Sequence, residues 1–203
     1  MGDDMDANEA AEMMEPERQE DRFKQRAAIL IAILAMVLAI TSLGGNNAGK
    51  DALTNNILAS NYFNFYQAKN MRQTALILAA DEFEIAWTSD PSLSADVKAT
   101  LAKKLDNYKK TIARYESEPE TQEGKKELIA RARVHEAARD RALAQDPYFD
   151  YAEALLQIAI VLISVSIVAG AVWLSFVGGA LGLAGTLLMI NGFTLVVTIP
   201  GLG

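Results

Sequence analysis

The sequence predicts an all-α membrane protein: three transmembrane helices, with an extramembrane antiparallel helical hairpin, coiled-coil-like in its packing, between spans one and two. Three observations predict it. Residues 27–49 and 154–203 carry no charged side chain, and an apolar run of about 18 or more residues is long enough to cross a bilayer as a helix. The second run is too long for one span and suits two. Between the runs, apolar residues recur every three or four positions, the period of a helix and not of a strand.

The chain opens on an acidic tail, 1–24, of which residues 1–21 hold nine acidic side chains and one basic, Arg18. With few large apolar residues besides methionine, this composition predicts disorder. No basic leader or small-residue cleavage site is present, so span one, 25–46, reads as an uncleaved anchor. Arg18, Arg22, Lys24 and Arg26 precede it and only Lys50 follows closely, which places the N-terminus in the cytoplasm and residues 47–146 outside. Arg139 and Arg141 near span two pull the other way. Gly44-Gly45-Asn46-Asn47 follows the apolar run, where glycine caps or loosens a helix.

From Ala48 to about Thr88 no proline interrupts a helical pattern with two stripes. One takes Leu58, Tyr62, Phe65, Lys69, Arg72, Leu76, Ala79, Phe83 and Ala86. The other takes Leu53, Ile57, Asn64, Ala68, Met71, Ala75 and Leu78. Two stripes suit a helix packed by two neighbours. Asp90-Pro91 predicts a break, and Ser92 or Ser94 caps the next helix. That helix, about 94–116, has a seam of Val97, Leu101, Leu105, Tyr108, Ile112 and Tyr115 with alternating steps of four and three. A third helix, about 120–145, uses Leu128, Ile129, Ala132, Ala138, Ala142 and Leu143. Asp146-Pro147 reads as the start of a fresh helix, opening a hairpin over 147–203 with spans at about 152–175 and 179–200.

Reactive constellations are missing from the pattern. His135 has no second histidine and the chain has no cysteine, so a zinc site would rest on carboxylates alone. Glu116, Glu118 and Glu120 read as a solvated surface or a weak cation site. Gly44 to Lys50, GGNNAGK, lacks the Ser or Thr that follows lysine in a phosphate loop. No catalytic, cofactor or metal residue is expected, and the chain reads as a non-enzyme. Lys98, Lys103, Lys104, Lys109, Lys110 and Arg114 form a basic helix face. The net charge of −7 argues against nucleic acid as a partner. No charge lies deep in a span, against an ion pathway.

Two groups of residues stand out as packing or partner motifs. Gly178 with Gly182, and Ala180 with Ala184, keep the four-residue spacing of close helix approach, within one chain or between chains. Asn191, in the same apolar run, predicts a partner across a helix interface. The other group is Ser60, Asn61, Tyr62, Phe63, Phe65, Tyr66, Gln67 and Lys69, with four of the chain's 15 aromatic residues inside five positions. A helix leaving the membrane at Gly45 would put Phe63 roughly 27 Å out, too far for an interfacial aromatic belt. The rings therefore read as filling for a helical bundle or as a partner-binding surface.

This segment, with Ala59, Ser60, Tyr66, Gln67, Ala68 and Lys69, resembles the hallmark Ala-Ser-Asp-x-Trp-x-x-Tyr-Gln-Ala-Lys of an uncharacterised bacterial membrane family, domain of unknown function 4337. Asn61 stands for the usual aspartate and Phe63 for the usual tryptophan. The run from Glu153 also resembles that family's second span. The resemblance extends from about Arg22 to Gly192 and implies a three-span protein of the bacterial inner membrane, without an established activity. The expected role is that of a scaffold or accessory subunit, in contact with membrane lipids and either homo-oligomeric or part of a larger membrane complex. A sensor relaying an outer signal to the acidic tail is the alternative, and a small channel or transporter the weaker third.

Overall fold

A computed structural model describes residues 7–89 and 92–200. Among them the structure is all helical: α1 Ala7–Ser89, α2 Ala95–Glu116, α3 Lys125–Ala169 and α4 Val172–Thr194. Helices α1, α3 and α4 are each long and apolar enough to cross a membrane. The chain divides into two compact units, one of residues 1–50 with 142–203 and one of 51–141.

Several boundaries differ from the sequence reading, each for a local reason. Helix α1 begins at Ala7, so residues 7–24 are helical where composition predicted disorder. Glutamate, alanine, methionine and arginine are strong helix formers, and acidic groups near a helix N-terminus oppose its dipole favourably. Met1–Asp6 of the expected tail, and Asp90 with Pro91 of the expected break, lie outside the described residues. Ser94 does cap α2, its hydroxyl accepting from the Val97 amide at 3.4 Å.

Pro147 starts nothing; it sits inside α3. An internal proline removes one helix hydrogen bond and costs about 3 kcal/mol. Burial of Tyr148 and Phe149, 3% and 2% exposed, directly after it offsets that loss. The turn before α4 falls at Gly170, with φ +63°, and spans two and three accordingly end at Ala169 and start at Val172. The sequence reading put the boundary between these helices at about 175–179; among the described glycines Gly170 alone has the positive φ that glycine tolerates without strain.

In the first unit Ala27, Leu34, Leu156, Ala159 and Ile163 form the core. Small residues of α4 let it close on the neighbouring helices. A Cβ on Gly178 would stand 2.7 Å from Ile163 and 2.9 Å from the Ala159 carbonyl, and one on Gly182 2.7 Å from Leu34. Gly185 and Gly192 are buried in the same way, whereas Ala180 and Ala184 are exposed.

Asn191 finds its partner in its own chain. Its amide donates to the Val197 carbonyl at 2.7 Å and accepts from the Val197 amide at 2.9 Å. The Tyr148 hydroxyl donates to the same carbonyl at 3.1 Å and accepts from Ile199 at 3.0 Å. These bonds satisfy the backbone just past α4, which would otherwise be costly to leave unpaired in an apolar setting. Asn191→Leu should therefore speed carboxypeptidase trimming into residues 195–200 several-fold, while Thr194→Val, which removes a hydroxyl bonded to the Ile190 carbonyl and not to this clamp, leaves the rate unchanged.

Gly44 and Gly45 neither cap nor interrupt α1, which runs straight through them. A Cβ on Gly44 would come within 2.6 Å of the Phe149 ring and 2.9 Å of Phe193, and one on Gly45 within 3.2 Å of Phe149. Phe149 and Phe193 meet edge to face at 4.8 Å. The glycines are thus a seat for an aromatic pair. Gly49, by contrast, has nothing within 4 Å. Gly44→Val should lower stability by about 1–3 kcal/mol through overpacking. Gly49→Ala should raise it by roughly 0.5–1 kcal/mol through helix propensity. Melting temperatures of the two variants in detergent, moving in opposite directions, check this pair.

Candidate functional site: a polar latch on the turn between α2 and α3

The second unit joins the long α1 to α2 and α3 through contacts that run in opposite order. On α1, residues 83, 73 and 69 meet 108, 112 and 118. Residues 70, 62 and 55 meet 125, 135 and 135. The face of α1 that makes these contacts carries Ala52, Ala59, Lys69, Gln73 and Ala80 as buried residues, with Tyr62, Tyr66, Leu76 and Phe83 half-buried. The expected stripe shares Tyr62, Lys69, Leu76 and Phe83 with it. Phe65 and Arg72 fall off it and are exposed, with Gln73 inside instead.

Lys69 is only 5% exposed. Its ammonium lies 3.4 Å from Glu118 and 3.8 Å from Glu123, and 5.4 and 5.5 Å from the centres of the Phe65 and Tyr115 rings. A buried ammonium needs such company, since an unpaired charge taken out of water is expensive. One turn on, Gln73 donates to the Ile112 carbonyl at 3.0 Å and to Glu116 at 3.2 Å. Lys125, at the start of α3, closes the circuit. It donates to Gln73 at 2.6 Å and to Asn70 at 3.0 Å, pairs with Glu116 at 3.1 Å, and sits 5.8 Å from the Tyr66 ring centre.

The turn itself is braced from the other side. Glu127 accepts from the Ser117 hydroxyl at 2.6 Å and from the Glu118 amide at 3.1 Å, tying the end of α2 to the start of α3. Gly124, buried beneath, leaves no room for a Cβ, which would collide with the Glu118 amide nitrogen and the Ser117 Cα. Further along α3, His135 stacks on Tyr62 at 5.5 Å and donates from Nδ1 to Asn55 at 2.8 Å. Arg131 covers the Tyr62 ring at 5.1 Å.

The acidic pair Glu116 and Glu118 is therefore latch material, not the solvated surface expected of it; Glu120 is exposed. Bonds from Gln73 and Lys125 hold the Glu116 carboxyl below the usual carboxylate range, and those from Ser117 and the Glu118 amide do the same for Glu127. A carboxylate with a depressed folded pKa contributes stability above its unfolded value, about 4.3. That contribution is lost as pH falls through the depressed value. The second unit should thus keep its melting temperature from pH 7 to about pH 5 and lose it progressively below about pH 4.3. Glu116→Gln should flatten that acid limb in a pH series of melts.

Of the expected motif, Tyr62, Tyr66 and Lys69 come together on the latch face. Phe65 reaches Lys69 from the rim and Phe63 is half-buried. Ser60, Asn61 and Gln67 are exposed. Gln73, Asn70, Lys125 and Gly124 were not singled out by sequence, although Gln73 lies seven residues past Tyr66 and four past Lys69, in helical phase with both. Among the described residues no buried side-chain nitrogen or oxygen lacks a partner. These bonds hold the turn between α2 and α3 against α1. A separate shallow cavity of about 430 Å³ lies between the end of α1 and α2, lined by Trp87, Leu105, Glu84, Asp106 and Lys109 among others.

A family model described as a domain of unknown function, DUF4337, matches residues 23–195. No curated protein and no solved structure matches the chain.

Proposed function

The chain belongs to the family of domain of unknown function 4337, and for it we propose the role of a non-enzymatic membrane scaffold or accessory subunit that self-associates or binds a membrane-complex partner through its helical domain. In this reading it is a multi-pass protein of the bacterial inner membrane, in contact with lipid along its three spans. The N-terminus is cytoplasmic, and residues 47–146 form a periplasmic antiparallel hairpin. The basic residues ahead of span one support that orientation.

The observation that carries the proposal is the latch. Two distinctive polar groups, Lys69 and Gln73, fix helices against one another, an arrangement that supports the reading of this domain as a docking surface. The glycines of α4 fill the same role in the first unit by packing within the chain, so association is assigned to the helical domain. Native mass spectrometry of detergent-solubilised protein, with crosslinking in native membranes, tests this. A strictly monomeric protein that traps no neighbour sinks it.

One observation favours a sensor as the second reading. Helix α1 is unbroken from Ala7 to Ser89, with the Gly44-Gly45 pair packed under Phe149 instead of capping the helix, so the acidic segment and the latch residues belong to one continuous helix. Removing residues 1–20 and leaving every dependent response unchanged would count against signalling.

A further inference from the structure

The latch uses one face of α1 and leaves the opposite face without a partner among the described residues. Leu53, Ile57, Met71, Leu78 and Ile85 on that face are 62%, 50%, 74%, 60% and 63% exposed. Ile57, Asn64, Met71, Leu78 and Ile85 stand exactly one heptad apart in sequence, and Ala68 and Ala75 follow Asn64 and Met71 at four residues. This is the second of the two stripes read from the sequence, and its expected neighbour is not among the chain's own helices. A sustained seven-residue repeat of apolar positions is the mark of a coiled-coil seam.

We propose that this face of α1 is the interface with a second copy of the chain, the two α1 helices lying parallel and in register. The inference rests on the scaffold reading and narrows its partner to the chain itself.

Three arguments select that occupant. First, the face is uncharged from Leu53 to Leu78. Between 52 and 80 the charged residues are Lys69, turned into the latch, and Arg72, off the stripe. A charged partner would find nothing to pair with, while an identical uncharged face is complementary to itself. Second, α1 contains a segment able to span a membrane, and copies inserted the same way carry their α1 helices in the same direction. A parallel, in-register pair sets Asn64 against the same residue of the second copy, an amide pair that fixes register at a core position. Any partner with an apolar residue there would leave that amide unpaired. Third, the repeat holds over four heptad steps from Ile57 to Ile85, the length of seam a coiled-coil pair needs. Confinement to one membrane raises the effective concentration further.

The chain has no cysteine, so single thiols report unambiguously. Asn64→Cys and Leu78→Cys, oxidised in native membranes, should give disulfide-linked dimers at least 5-fold above Lys103→Cys on the exposed face of α2. Met71→Glu in the Leu78→Cys background should abolish the dimer. Equal yields at position 103, or no dimer at the stripe, overturn the inference. If no dimer forms and Met71→Glu releases a different co-purifying protein, the second copy is wrong and the scaffold reading stands. If nothing co-purifies with the unaltered protein either, both fall.

Discussion

Gly124→Ala should unfold the second unit at a temperature roughly 10–20 °C below that of the unaltered protein. The added methyl would meet the Glu127 carboxylate, which can turn aside, but also two backbone atoms, the Glu118 amide nitrogen and the Ser117 Cα, which cannot. Overpacking against side chains costs typically 1–3 kcal/mol. Here two of the neighbours are main chain, and Glu127 ties both their residues through the Ser117 hydroxyl and the Glu118 amide, so the cost should lie at about 3 kcal/mol. Relief requires opening the turn, which parts Lys69 from Glu118 and Glu123. Hydrogen exchange should consequently quicken at residues 117–128 and also at the α1 residues they cover. A melting temperature within 2–3 °C of the unaltered protein, about 0.5 kcal/mol, would refute the packing argument.

Lys69→Met should destabilise the same unit by about 2 kcal/mol. Breaking a fully buried ion pair costs more, about 3–5 kcal/mol, because one charge is left stranded. Here the carboxylates left behind are 21% and 53% exposed at their side chains and can turn to water, which sets the lower figure. The reverse change is instructive: Glu118→Leu leaves the buried ammonium with only Glu123 and two rings, and should cost more than Lys69→Met. Arg72→Ala, three residues away and exposed, should stay within about 0.5 kcal/mol. Denaturant melts of the three variants order these costs. Equal losses at Lys69 and Arg72 would mean that the latch contributes nothing.

Much of the helix content was legible because apolar period and uncharged length are local properties. Ser94 as one of two N-cap candidates, the half-buried seam of α2 from Leu101 to Tyr115 and the inward turn of Tyr62 and Lys69 needed no knowledge of neighbours, whereas Tyr66, in neither stripe, did. Glycine and proline were read less well. Gly44-Gly45 ended no helix and Pro147 started none, because both residue types permit a break without requiring one. Whether they break a helix depends on what packs beside them, as Phe149 does for Gly44. The acidic residues after α2 show the same limit. Their composition is that of a solvated surface, and only the approach of Lys69 and Lys125 from elements 49 and 9 residues away (Lys69 to Glu118, Lys125 to Glu116) makes them structural.

By itself, then, the sequence determined the class of this protein, its three apolar helices and the two faces of α1, since hydrophobic periodicity records which surfaces must leave water. Tertiary structure decided which face the chain covers for itself. The heptad-spaced run of Ala52, Ala59, Gln73 and Ala80 is buried because small and amide side chains let α2 and α3 come close, whereas the larger Leu53, Ile57, Met71 and Leu78 are exposed. Periodicity gives a helix two candidate interfaces; only the reach of the connecting turns determines which one its own neighbours can occupy.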